Sequence, residues 1–151
     1  EIALKNPEIK VTMIAPVDSN NTVYAEKIYR ESRKIANLKI LDFVLYEKID
    51  EYFSNSKIFI NTSVEEGFPN TFIQACLAGT PIVSMNVNPD NFLTKHNVGY
   101  YCNNELEEMN RVINSLYNND SLYKKYSESA NDYAKKYHDI ETNIKSLEKL
   151  L

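Results

Sequence analysis

Tryptophan is absent from this chain of 151 residues, and glycine, cysteine and histidine are scarce, at three, two and two. Two cysteines cannot build a disulfide framework, and no His/Cys cluster has metal-ligand spacing. No apolar run approaches the roughly 20 residues of a membrane span, and Glu1-Ile2-Ala3-Leu4-Lys5 has the marks of neither a signal nor a transit peptide. Basic charge is short as well: 17 Lys and Arg stand against 21 Asp and Glu, a net charge of −4. With no basic stripe, nucleic acid is excluded as a partner.

What is present fits a globular domain. Hydrophobic residues at 43% and charged residues at 25% sit near the soluble average, which excludes a disordered or fibrous chain. The length predicts one domain with a proper core, in a reducing compartment such as the cytoplasm. Asparagine is abundant, with 19 residues, so the Asn-x-Ser/Thr triplets at Asn20, Asn61 and Asn119 read as products of composition rather than glycosylation sites.

Five short apolar runs read as buried strands, at 11–15, 41–45, 57–61, 81–85 and 98–102. Pro16 and a polar loop over 18–21 end the first. Helical stretches alternate with them: a turn before Pro7, a segment from Thr22 with Tyr24, Ile28, Glu31 and Ile35 in period, a short one at Ile49, Tyr52 and Phe53, and one over 69–78. Beyond Asn104 the pattern is helical only. Its stripes are Leu106, Met109, Ile113 and Leu116, then Leu122, Tyr126, Ala130, Tyr133 and Tyr137, then Ile140, Ile144, Leu147 and Leu151. At that spacing the tyrosines read as core and rim packing rather than a base-stacking surface. The alternation predicts a doubly wound α/β domain over 1–151, with a parallel sheet and C-terminal helices.

Average usage would supply about ten glycines. Two of the three here bracket one helix: Gly67 precedes Phe68 and Pro69, the latter suited to a first helical turn, while Gly79 followed by Pro81 fits a helix stop. Phe72, Ile73, Cys76 and Leu77 form one apolar face of that helix, and Asn70, Thr71, Gln74 and Ala78 lie on another. Its first turn, just past a strand, presents free N–H groups and a positive dipole end that suit a phosphate. Glu66 at the same mouth can accept hydrogen bonds from hydroxyls, and Gln74 both donates and accepts one turn further in. Together they describe a site for a phosphorylated sugar or nucleotide. From spacing alone, Glu65 and Glu66 as solvated loop charges, with Gln74 as a surface residue, is the other reading.

The run from Glu66-Gly67-Phe68-Pro69-Asn70-Thr71 through Gln74-Ala75-Cys76-Leu77-Ala78-Gly79-Thr80-Pro81-Ile82-Val83 resembles the signature of retaining GT-B glycosyltransferases of family 4, the glycosyl transferases group 1 domain. That signature is Glu-Gly-Phe, a Glu–x7–Glu helix and Ala-x-Gly-x-Pro-Val-Val. The stretch from Ser56 to Ser63 resembles the strand before it. The resemblance implies the Rossmann-like C-terminal half of a GT-B enzyme, which binds a nucleotide-sugar donor. It implies that Glu66 contacts the sugar's hydroxyls and acts as the catalytic carboxylate, that Gly67, Phe68, Pro69, Asn70 and Thr71 face the sugar or diphosphate, and that Gln74 takes the ribose position where Glu is usual. Tyr46, at the end of the second strand, and the Ala15-Pro16-Val17 loop match positions that border the base.

The sequence departs from the family in three places. The glycine-rich segment after the first strand is Ala15-Pro16-Val17-Asp18, and the Gly-Gly-x-x-Glu segment is Asn86-Val87-Asn88-Pro89-Asp90. The chain also begins after the place of the family's diphosphate-clamping Arg and Lys. It is therefore expected to be a fragment without the N-terminal acceptor domain, inactive alone.

The implied reaction transfers a hexose from a nucleoside diphosphate sugar to an acceptor hydroxyl, in surface polysaccharide or glycoconjugate assembly. It needs no metal and no cofactor. The acceptor, a glycan or lipid-linked glycan, is expected on the absent half, with any peripheral association at the inner membrane face. A GT-B-like nucleotide-sugar epimerase and a non-catalytic nucleotide-sugar-binding domain are the alternatives. A receiver-like signalling domain is rejected because the first strand ends in Ala15-Pro16 instead of an acidic cluster. His96 reads as a surface loop residue and His138 as a cap or surface group, Cys76 and Cys102 as buried thiols, and Asp90 as the N-cap of a short helix.

Overall fold

Every strand pairs in parallel in a computed structural model that describes residues 1–17 and 22–149. The predicted loop 18–21 with its Asn20 triplet, and Leu151 of the last stripe, lie outside the described residues. The chain divides into two compact units, Glu1–Ile49 and Asp50–Leu151.

The first unit holds α1 (Ile2–Lys5), β1 (Val11–Ile14), α2 (Thr22–Ser32), β2 (Leu38–Leu41) and the start of α3 (Tyr46–Ser54). β1 pairs with β2, Val11 opposite Leu38 and Ile14 opposite Leu41. The second strand therefore spans 38–41 and not the predicted 41–45. The choice is made by Asn37, which has no apolar signature. Its Nδ2 donates to the carbonyls of Ala3, Asn6 and Ile9 at 2.8–2.9 Å, and its own carbonyl receives the Val11 N–H at 2.8 Å. That tether starts the pairing at Leu38 and leaves Phe43 and Leu45 exposed beyond it. Tyr46 consequently opens α3 instead of ending a strand. β1 is also less buried than its apolar run predicts, with Met13 and Ile14 exposed, because α2 packs chiefly on β2.

The second unit carries β3 (Phe59–Asn61), α4 (Asn70–Leu77), β4 (Ile82–Ser84), α5 (Phe92–Lys95), β5 (Gly99–Tyr101), α6 (Leu106–Asn118), α7 (Asp120–Tyr137) and α8 (Ile140–Glu148). Its sheet runs β3-β4-β5, so β4 is central and all three of its residues are buried. The strands are shorter than the predicted runs but fall within them.

α4 begins one residue later than expected: Pro69 is its N-cap, with φ −66° and ψ 127°. It stops as predicted. Gly79 takes φ +68°, its N–H donates to the Cys76 carbonyl at 3.0 Å, and the Thr80 N–H donates to the Ala75 carbonyl at 2.8 Å. This is the paired C-terminal motif that a left-handed glycine permits.

α4 packs on α7. The buried residues of α4 are Phe72, Ala75 and Cys76, while Leu77, expected on that face, is 56% exposed. Ala75 of α4 and Ala130 and Ala134 of α7 are all buried, small residues that suit a close helix contact, and Leu77 is left outside the core. Full burial of Phe72 contributes about 1.5–3 kcal/mol. Met109, Ile113 and Leu116 are buried as their stripe predicts, and the tyrosines pack as core and rim, Tyr126 on Tyr100 at 4.8 Å and Tyr133 on Phe92 at 4.9 Å. The third stripe is not buried: Ile140, Ile144 and Leu147 of α8 are exposed. Among the described residues no helix is long and apolar enough to cross a membrane.

Burial pushes the Cys76 thiol up to about 12 and Cys102 to about 11, so neither is a thiolate near neutrality. A disulfide reagent at pH 8 is expected to label them only as fast as the second unit opens. Stoichiometric labelling of the native chain within the mixing time would contradict that burial.

Candidate functional site: the mouth of β3 and β4

Asn61 and Ser84 end β3 and β4 and lie opposite each other in register. Both are buried, yet both are polar, at the C-terminal strand ends where open α/β sheets bind ligands. The Ser84 hydroxyl accepts the Val87 N–H at 3.1 Å and donates to Asn61 Oδ1 at 3.3 Å. Asn61 Nδ2 in turn donates to Glu66 Oε1 at 3.0 Å. The Glu66 side chain is therefore held by the strand ends although the residue itself is exposed.

The rest of that loop is braced from the side. Asn86 Nδ2 donates to the Ser63 carbonyl at 3.4 Å. The Phe68 ring meets Phe92 edge-on at 5.0 Å and Phe72 at 6.4 Å, and Pro69 is buried. These contacts lead the chain into α4 with no side chain capping its first turn. The leading N–H groups of α4, at Asn70 and Thr71, are thus outside the intrahelical ladder.

The chain matches the family "Glycosyl transferases group 1" over residues 2–136. It belongs to that family. An uncharacterized glycosyltransferase of Haemophilus influenzae is 35% identical over 82 residues, which is 52% of this chain and 23% of the relative. HepE of Anabaena, solved in complex with UDP, superposes with a TM-score of 0.81 at 20% identity, covering 98% of this chain and 43% of HepE. TarM of S. aureus, solved with UDP among its ligands, superposes at 0.77 and 18% identity, covering 99% of this chain and 30% of TarM. At these identities the likeness shows a shared GT-B fold. The chain spans less than half the length of each of these proteins.

Of the predicted site residues, Glu66, Gly67, Phe68, Pro69, Asn70, Thr71 and Gln74 form one continuous loop and helix start. Glu66, Gly67 and Asn70 are exposed, and Thr71 and Gln74 half-buried. Pro16 and Tyr46 belong to the first unit and are both exposed. The Pro16 loop is held by the Ala15 N–H on the Leu41 carbonyl at 2.9 Å, the Val17 N–H on Asp42 Oδ1 at 3.1 Å, and the Tyr29 hydroxyl on the Ala15 carbonyl at 3.0 Å.

His96 is no free loop residue: its ring packs on Phe92, Tyr133 and Tyr137, and burial, with Lys95 and Lys136 nearby, lowers its pKa. His138 is the C-cap of α7, as expected. Asp90 does not cap α5. It sits at φ +50° in a 3₁₀ turn, and Asn88 Oδ1 instead receives the Leu93 N–H at 2.9 Å.

Asn61 and Ser84 were missed as functional candidates. Their signal in the sequence is slight: two otherwise apolar strands, Phe59-Ile60-Asn61 and Ile82-Val83-Ser84, each close on a polar residue.

Proposed function

We propose that the chain is the donor-binding half of a retaining, family 4 glycosyltransferase that moves a hexose from a nucleoside diphosphate sugar to an acceptor hydroxyl. The observation that carries this reading is an exposed carboxylate, Glu66, held by the strand ends four residues before the uncapped first turn of α4. A carboxylate accepts hydrogen bonds from sugar hydroxyls, and a helix start offers N–H groups and a positive dipole end to phosphate oxygens. A Cβ on Gly67 would meet nothing within 4 Å, so packing does not demand glycine there. Close approach of a ligand to that backbone gives the residue its reason.

In the proposed reaction the bond from the anomeric carbon to the diphosphate breaks while the acceptor oxygen attaches, with the configuration retained, and the acceptor's hydroxyl proton passes to the departing diphosphate oxygen. The diphosphate leaves toward the first turn of α4, which supplies its stabilisation without a metal ion. Glu66 orients the sugar and faces the positive charge that grows at its ring. Gln74 accepts from a ribose hydroxyl, without the charge assistance a glutamate would give. A uridine donor is favoured because HepE was solved with UDP and with UDP-glucose. WaaG, a glycosyltransferase involved in lipopolysaccharide biosynthesis, also shares the fold, with a TM-score of 0.65. That likeness supports a role in surface polysaccharide assembly at the cytoplasmic membrane face, where an N-terminal domain would hold the acceptor glycan or lipid-linked glycan.

Calorimetric titration with UDP, GDP, ADP and CMP tests the donor reading. UDP is expected to bind selectively, and Gln74→Ala to weaken it about fivefold to tenfold through the loss of one hydrogen bond. Silence for all four nucleotides, in this chain and in the intact enzyme, would turn the reading toward a non-catalytic domain.

A further inference from the structure

We infer that Asn61 and Ser84 form a positioning pair that aims the Glu66 carboxylate at the donor sugar. The inference rests on the reading of Glu66 as the sugar-binding group.

The hydrogen bonds run in one direction only. The Val87 N–H must donate, so Ser84 Oγ accepts it and has its own proton left to give. Asn61 Oδ1 receives that proton, which fixes the acceptor end of the amide and turns Nδ2 toward Glu66 Oε1. A backbone N–H thus dictates, through two side chains, that the group meeting Glu66 is a donor. An amide turned the other way would set oxygen against oxygen.

The anchor is rigid where the carboxylate is not. Ser84 is 0% exposed on the central strand and Asn61 6% exposed on its neighbour, while Glu66 sits on an exposed loop beside a glycine. Packing alone would be met by two apolar residues, and buried polar groups cost stability unless fully bonded. Here the chain of bonds ends on a solvent-facing carboxylate and not on the backbone. Among the described residues Glu66 Oε2 has no protein partner, which leaves it for a sugar hydroxyl.

Two measurements test the pair. In the NMR spectrum of the chain, the Asn61 side-chain amide signals, identified by their loss in Asn61→Asp, are expected to move on Glu66→Ala and again on Ser84→Ala. Signals that ignore Glu66→Ala overturn the inference. In the intact enzyme with UDP-glucose as probe, Asn61→Asp is expected to lower kcat about 10- to 100-fold with KM held within about threefold. That variant keeps its size and its acceptor for Ser84 but turns an oxygen on Glu66. Ser84→Ala, which frees the amide to rotate, is expected to lower kcat about threefold to tenfold by the same loss of aim. Variants that lose thermal stability yet keep kcat per folded molecule would show a brace only, and overturn the inference. If the amide signals respond but Glu66→Ala keeps full kcat, the pairing stands and the reading of Glu66 fails.

Discussion

Glu66→Ala is expected to lower kcat/KM for UDP-glucose in the proposed glycosyltransferase about 100-fold, with the melting temperature moved by no more than about 4 °C. The two effects separate because the bond Glu66 makes within the chain is distinct from the role proposed for it toward the donor sugar. Within the chain it is exposed and, among the described residues, accepts a single hydrogen bond, from Asn61. Its removal leaves the Asn61 amide short of one partner at the water boundary, a cost of about 1 kcal/mol. In the proposed site it is the carboxylate that the strand ends hold in place at this mouth, among the described residues. A group that meets charge developing in the transition state is felt in kcat rather than in KM. Glu66→Gln, which keeps an acceptor for Asn61 but not the charge, is expected to fall between wild type and Glu66→Ala. Steady-state kinetics beside a thermal melt decide the matter: wild-type kcat/KM in Glu66→Ala would remove the residue from the mechanism.

Gly99→Ala carries the largest expected loss of stability, about 3 kcal/mol, or about 6–12 °C in melting temperature. Gly99 opens β5 opposite Ile82. A Cβ there would collide with the Ile82 carbonyl oxygen, and would lie 2.8 Å from its carbon and 3.0 Å from Cα. The obstacle is backbone of the central strand, which can shift only by breaking its own ladder to β3. The usual gain of about 0.4–1 kcal/mol from stiffening the unfolded chain is too small to offset this. Gly67→Ala is the opposite case. With open space around the added methyl, it is expected to melt within about 2 °C of wild type while weakening UDP-glucose binding about tenfold or more, since the methyl enters the proposed ligand's space. Chemical denaturation of both variants and a donor titration of the second would check the contrast. Equal stability in Gly99→Ala, or full donor affinity in Gly67→Ala, would contradict it.

The loop and helix from Glu66 to Thr80 were legible because their signals are local. A helix stop needs only Gly79, the residues before it and the two bonds they close, and the motif resides in consecutive side chains. The stripe of Met109, Ile113 and Leu116 was legible for the same reason: helical period alone predicts which face is buried once any partner is present. The order of strands and helices, and with it the parallel α/β fold, followed from alternation along the chain. Whether a given stripe finds a partner is another matter. Leu77 and the α8 residues Ile140, Ile144 and Leu147 carry the same apolar signature as buried residues, yet they are exposed. Burial depends on what packs opposite, and no residue reports that alone.

The sequence by itself therefore determined the alternating elements, the end of α4 and the identity of the residues at its mouth, since each depends on neighbours a few positions apart. Tertiary structure decided the start of β2, which Asn37 sets through carbonyls 28 to 34 residues away. It also decided that Asn61, 23 residues from Ser84 in the chain, joins it to hold Glu66. A hydrogen bond is directional and short, so its partners are chosen only when packing brings distant backbone together. Nothing in the local pattern of Phe59-Ile60-Asn61 or Ile82-Val83-Ser84 records that meeting.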